Sequence, residues 1–112
     1  IRYFEDFTEV MQEQVLLFVN QISEIIHSCV DKFGGSPNKN LGDTYLLVWK
    51  PETFVHPDGK KLLQSQKTIM ADLAIFSILK IISKINSLQT LKQYRTDSRM
   101  EERISNYKVS IG

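Results

Sequence analysis

Asp43 is the residue of this chain best placed to do chemistry, because it follows Gly42 between two stretches of strand-forming residues. A carboxylate at a hairpin tip projects clear of the sheet, and the adjacent glycine lets another group approach the backbone. Such an oxygen donor suits Mg²⁺, which takes few carboxylates and leaves its remaining positions to water and substrate phosphates. Gly-Asp is equally ordinary turn chemistry, so the dipeptide alone favours the plain turn. The other candidates offer less. His27 lies beside Ile26 on a helical face, and His56 stands in a polar stretch; neither has Asp, Glu or Cys at metal-ligand spacing. Cys29 falls on an apolar helical face, where cysteine packs as a small hydrophobe. Lys60-Lys61 reads as a solvated pair and Trp49 as the end of a strand with core or interface area. No Ser/His/Asp or Cys/His arrangement suggests a protein nucleophile.

The elements that would hold Asp43 follow from pattern. Apolar residues at Val15, Phe18, Val19, Ile22, Ile25, Ile26, Cys29, Val30 and Phe33 recur at helical spacing. They predict one long helix over Asp6–Phe33, opened by a capping box of Asp6 and Glu9 and closed by Gly34-Gly35; a break or bend near Glu13–Val15 stays open. Asn38–Leu41 and Thr44–Trp49 predict a short strand and a buried strand joined at Gly42-Asp43. Lys50–Gln66, with Pro57-Asp58-Gly59, reads as a long loop or insertion. A second long helix is expected from Ser65 or Thr68 to about Tyr94, its main apolar line of Ile69, Leu73, Phe76, Leu79, Ile82, Ile85, Leu88 and Leu91 widened by Met70, Ala74, Ile75, Ile78 and Ile81, which implies contact on more than one side. Arg95–Arg103 reads as a solvated connector and Tyr107–Ile111 as the opening of a strand. Helix, hairpin, loop, helix and strand in that order predict an α/β (α+β) sandwich, with helices packed on a mainly antiparallel sheet. Two such apolar helices need more sheet than this hairpin supplies, so the domain is expected to continue beyond both ends.

Composition narrows the function classes. The 112 residues suit one domain or part of one, and 42% hydrophobic with 24% charged residues is a globular composition. Fourteen Lys and Arg against thirteen Asp and Glu give a net charge of +1, without the basic excess of a nucleic-acid binder. The most apolar stretch, Leu73–Ile82, is interrupted by Ser77 and Lys80 and is far shorter than the ~20 residues a bilayer demands. No membrane contact is expected of this segment. The single cysteine excludes an internal disulfide and fits a reducing, intracellular setting.

Lys39-Asn40-Leu41-Gly42-Asp43-Thr44-Tyr45-Leu46-Leu47-Val48-Trp49 resembles the core signature of the class III nucleotidyl cyclases, in which Lys or Glu, two residues and Gly-Asp lead into an aromatic-apolar strand. Ile1-Arg2-Tyr3-Phe4-Glu5-Asp6-Phe7-Thr8-Glu9 is similar to the residues after that family's first metal-binding Asp. Leu16 and Asn20 match the Leu/Val-x-x-x-Asn register of the helix that follows, and Tyr107–Gly112 resembles a later strand. The resemblance spans nearly the whole chain in order. It implies a ferredoxin-like sandwich, here part of a catalytic domain covering residues 1–112 and truncated at both ends.

The roles that the resemblance implies can be placed residue by residue. Asp43 matches the second metal-binding carboxylate, and Ile1 the residue whose backbone carbonyl contacts an ion. Tyr3, Phe4 and Glu5 fall where backbone amides cradle the nucleotide phosphates, with Gly42 beside them in the nucleotide-binding set. Lys39 matches the purine-recognising position, where adenylyl cyclases carry Lys and guanylyl cyclases usually Glu. The implied reaction converts ATP to cyclic AMP and pyrophosphate by attack of the 3′-hydroxyl on the α-phosphate, with two Mg²⁺ or Mn²⁺ ions. A second cyclase domain, in a homodimer or pseudo-heterodimer, is the implied partner, and this segment alone is expected to be inactive. The family's Gly-Phe-Thr is replaced by Tyr3-Phe4-Glu5, which puts bulk and negative charge beside the phosphates. That departure motivates the competing expectation of a cyclase-derived interaction or scaffold module; a guanylyl cyclase is the other alternative.

Overall fold

The computed structural model describes residues 1–50 and 64–112. It shows a mixed α+β chain: α1 (Phe4–Met11), α2 (Gln14–Lys32), β1 (Ser36–Leu41), β2 (Thr44–Val48), α3 (Gln64–Ser87), a 3-10 turn (Gln89–Leu91), α4 (Lys92–Arg95) and α5 (Ser98–Arg103). The strands form a two-stranded antiparallel sheet. The expected turn at Pro57-Asp58-Gly59, with His56 and Lys60-Lys61, lies outside the described residues. Two compact units emerge, residues 1–25 with 82–112, and residues 26–81.

The first unit is built around aromatic rings. Phe7 of α1 lies 4.3 Å from Phe18 of α2, centroid to centroid, and both meet Tyr94 of α4, at 5.8 and 5.1 Å with edge-on geometry. Met11, Ile22, Ile25, Ile85, Leu91, Met100, Tyr107 and Val109 are buried in the same unit. The expected single helix over Asp6–Phe33 is in fact two. Gln12 takes φ 50° and ψ −118°, its N–H closing onto the Thr8 carbonyl, and α2 restarts at Gln14. The apolar spacing runs unbroken through Met11, Val15 and Phe18, and no Gly or Pro marks the interruption, which is why periodicity passes over it. The capping box is also corrected. The helix starts at Phe4 with Tyr3 as N-cap and no side-chain cap, while Asp6 pairs with Arg103 instead.

The charged stretch after α3 is structured rather than a solvated connector. The Arg95 guanidinium donates to the carbonyls of Ile85 (2.6 Å) and Leu88 (2.8 Å), placing a cation at the C-terminal end of α3. Asp97 caps α5 by accepting from the Arg99 N–H, and Met100 is fully buried. Arg99 reaches the Met11 sulfur and the Val10 carbonyl, and Arg103 pairs with Asp6 and Glu9, so α5 is fastened to α1. Tyr107–Ile111 joins no strand. Tyr107 and Val109 are buried, and the Ser110 carbonyl accepts from the Arg2 N–H.

In the second unit α2 ends as expected, with Gly34 at φ 74°. Its apolar face buries Ile26, Cys29 and Val30. The Trp49 indole N–H donates to the Phe33 carbonyl at 3.1 Å, folding the end of the hairpin back onto the end of α2. The strand at 44–48 is only half buried, contrary to the buried strand expected, because Thr44 and Leu46 face outward. On α3 Ile81 and Ile85 of the expected stripe are buried together with Ser77, whereas Phe76 and Leu79 of its main line are 62% and 58% exposed. The expected helix to Tyr94 stops at Ser87.

Gly35 is buried with so little room that a Cβ there would lie 2.5 Å from the Trp49 ring and 2.8 Å from Val30. Gly35→Ala is therefore expected to cost about 1–3 kcal/mol through forced repacking, read as a lower urea midpoint. Ser77→Ala should do the reverse, or nothing, because the buried Ser77 hydroxyl has no hydrogen-bond partner among the described residues.

Candidate functional site

The hairpin of the second unit carries three of the expected site residues. The register pairs Leu41 with Thr44, which leaves Gly42-Asp43 as a two-residue turn. Gly42 takes φ 71°, a left-handed conformation that glycine adopts at no steric cost and that the tight turn requires. Asp43 is exposed at the tip, and the Thr44 hydroxyl donates to its Oδ1 at 3.0 Å. Composition and spacing missed that contact, although an Asp followed by Thr in a turn is a signal that could have found it.

Lys39 lies on β1 opposite Leu46. Strand alternation puts Lys39 and Leu41 on one face with Thr44 and Leu46. All four are exposed, Leu41 to 67% and Leu46 to 51%, so this face sets an ammonium beside exposed apolar side chains. Asn38 is skipped by the register between Pro37 and Lys39, an irregularity that breaks the strand just before Lys39.

Ile1, Tyr3, Phe4 and Glu5 belong to the first unit, at the N-terminus of α1. Tyr3 adopts φ 56° and ψ 31°, a left-handed conformation uncommon for a residue with a β-carbon. It is the position where the resemblance expects glycine. Its carbonyl accepts from the Phe7 N–H, so the amides of Phe4, Glu5 and Asp6 have no intrahelical acceptor, and the helix dipole adds to them. Glu5 and Asp6 occupy that same first turn. Asp6 is compensated by Arg103 at 2.9 Å, whereas Glu5 is exposed. An N-terminus of this kind can hold an anion through its amides, with Glu5 opposing it by like charge.

Among the described residues no group of three or more His, Cys, Asp or Glu converges on a possible ion. Among the same residues no helix is long and apolar enough to cross a membrane. No protein-family model, curated protein or solved structure matches the chain.

Tyr107 packs beside the start of α1. Its ring meets Tyr3 edge-on at 6.3 Å, and burial, with a smaller contribution from the Asp97 charge, pushes its phenol up to about 12 from the ordinary 10. A raised pKa favours the neutral phenol in the folded state, so its stabilisation is complete below pH 10 and is lost as pH rises through 12. Absorbance at 295 nm should show a late-ionising tyrosine that Tyr107→Phe removes, with a flatter alkaline loss of stability.

Proposed function

We propose that this chain is part of a class III nucleotidyl cyclase catalytic domain, of ferredoxin-like architecture, converting ATP to cyclic AMP and pyrophosphate. The observation that carries the reading is the hairpin tip, where Gly42 at positive φ presents an exposed Asp43 while Lys39 stands on the exposed face of the same strands. Tyr3 adds support, because it holds the left-handed conformation in the place where the family has glycine.

In this reading Asp43 would hold Mg²⁺ or Mn²⁺. Bound divalent cations supply a lowered pKa for the ribose 3′-hydroxyl and compensation of the charge developing on the phosphates. The Thr44 hydroxyl orients the Asp43 carboxylate. The amides of Phe4, Glu5 and Asp6 bind phosphate oxygens, using a helix terminus that already points donors outward. Lys39 would donate to a ring nitrogen of adenine. No side chain of this chain forms a covalent intermediate. A second domain, from another copy or a related chain, supplies the remaining contacts.

One observation favours a degenerate module instead. Glu5 puts an exposed carboxylate beside the phosphate-binding amides. The two readings part on metal and phosphate binding. In ¹⁵N spectra of the chain, substoichiometric Mn²⁺ should broaden Gly42, Asp43 and Thr44, and Asp43→Asn should abolish the effect; uniform broadening in both proteins would sink the cyclase reading. Glu5→Gln should tighten tripolyphosphate binding about 2–5-fold, the scale of one charge at a helix terminus. In a protein containing the complete domain, Asp43→Asn should lower Mg²⁺-dependent cyclic AMP formation at least ~10²-fold. Lys39→Glu should move the preference from ATP towards GTP.

A further inference from the structure

Ser98-Arg99-Met100-Glu101 has the spacing of a capping box, in which the hydroxyl holds the amide three residues on and the carboxylate reaches back. The fold does not use it that way. Asp97, one residue earlier, is the N-cap of α5: its side chain accepts from the Arg99 N–H, and its carbonyl accepts from the amides of Met100 and Glu101. Ser98 is exposed, and its hydroxyl has no hydrogen-bond partner among the described residues. Glu101 and Glu102 are exposed too and enter no ion pair among the described residues, unlike Asp6, Glu9 and Asp97. The pattern therefore leaves an outward hydroxyl followed, three and four residues on, by two outward carboxylates.

We infer that Ser98 is a phosphorylation site, taken by a Ser/Thr kinase whose basic cleft reads carboxylates on the C-terminal side of the target hydroxyl. Such a kinase draws its target into an extended segment. Helices α4 and α5, of four and six residues, are too short to hold themselves, and the exposed ion pairs that tie α5 to α1 contribute little, so local opening is cheap here. Ser28, the other described hydroxyl with a carboxylate three residues on, lies inside the 19-residue α2. Beside Ser98 the charges of Asp97 and Arg99 offset each other, which leaves Glu101 and Glu102 as the charge that is read. Arg95, three residues before, is what a base-directed kinase would use, but its guanidinium is taken by the Ile85 and Leu88 carbonyls.

In the transfer, Ser98 Oγ bonds to the γ-phosphorus of ATP and the bond from that phosphorus to the β–γ bridging oxygen breaks. ADP leaves, and the hydroxyl proton passes to a carboxylate of the kinase. The phosphate brings about −1.5 to −2 charges to a position between Asp97 and Arg99. It repels the Asp97 carboxylate and competes for Arg99, which donates to Asp97 and also to the Val10 carbonyl at 3.4 Å and the Met11 sulfur at 3.2 Å. Modification thereby draws Arg99 off α1. The inference uses no metal or nucleotide site of this chain and is independent of the cyclase reading, which is tested at Asp43.

The full chain, incubated with ATP and a purified acid-directed Ser/Thr kinase and mapped by tandem mass spectrometry, provides the test. One phosphate on Ser98 is expected. Ser98→Ala should abolish it, Ser98→Thr restore it, and Ser28→Ala leave its rate unchanged. Replacing both Glu101→Gln and Glu102→Gln should slow transfer about 10-fold or more. Circular dichroism compares the helicity of each variant with the parent, and Ser98→Thr keeps the test standing where Ser98→Ala loses fold. In the phosphorylated chain the Met11 methyl resonance should move towards its position in unmodified Arg99→Gln. No transfer, transfer to another hydroxyl, an unchanged rate without the two carboxylates, or transfer only by a base-directed kinase overturns the site. An unmoved Met11 resonance in the Ser98-phosphorylated chain overturns the release of Arg99.

Discussion

The described structure turns on the contact of three rings, Phe7, Phe18 and Tyr94. Helix α1 has eight residues, too few to persist alone in water. Phe7 fastens it to α2 and α4, and aromatic pairs of this geometry add about 0.5–1.5 kcal/mol each beyond the area they bury. The exposed ion pairs between Arg103 and α1 fix orientation more than they stabilise, since such pairs contribute little in water. The left-handed Tyr3 and the outward amides after it thus have a defined position because a core residue two turns or less away is locked. Anything that loosens the ring cluster releases the α1 terminus with it.

A different constraint holds the hairpin. Two strands alone are marginal in water, and β1 is exposed along its whole length. What anchors the pair is the far end of β2, where Trp49 bonds to the Phe33 carbonyl and lies against Gly35. The turn at Gly42-Asp43 is therefore held from its base. That arrangement leaves the tip solvated, as a carboxylate must be if it is to exchange water for an ion without a large desolvation cost.

What could be read from sequence, and what could not, divides along physical lines. Gly34 and Gly42 each mark a backbone conformation that other residues adopt only with strain, so both chain reversals were legible. The strand at 44–48 followed from the β-branched and aromatic content of Thr44–Trp49, while its partner, expected only over Asn38–Leu41 beside the turn, begins earlier at Ser36. Tyr3 and Gln12 also take positive φ, but without glycine to announce them, so the true start of α1 was hidden and the break from α2, left open near Glu13–Val15, could not be fixed at Gln12. On α3 the difficulty was different. Its apolar residues encircle the helix, and periodicity then has no single face to select; packing against Ser77 and Ile81 decided it. The charged composition of 95–103 concealed α5 because its one buried residue, Met100, cannot make a pattern alone.

The start of α1 shows why the candidate site must be weighed in two parts. A carboxylate in the first turn of a helix stabilises that helix by about 0.3–1 kcal/mol, through the same amides and dipole that would hold a phosphate. Glu5 and Asp6 both sit there. Asp6 is turned to account by Arg103, which neutralises it while tying α5 to α1, so its charge hardly reaches an incoming anion. Glu5 has exposure and position but no such counter-charge among the described residues, and its field adds directly to the cost of binding phosphate. Asp43 belongs to the second unit, on a turn that glycine at positive φ allows and with the Thr44 hydroxyl donating to its carboxylate. Loss of phosphate affinity at α1 would therefore leave the carboxylate of the hairpin intact, and a chain with one function weakened need not have lost the other.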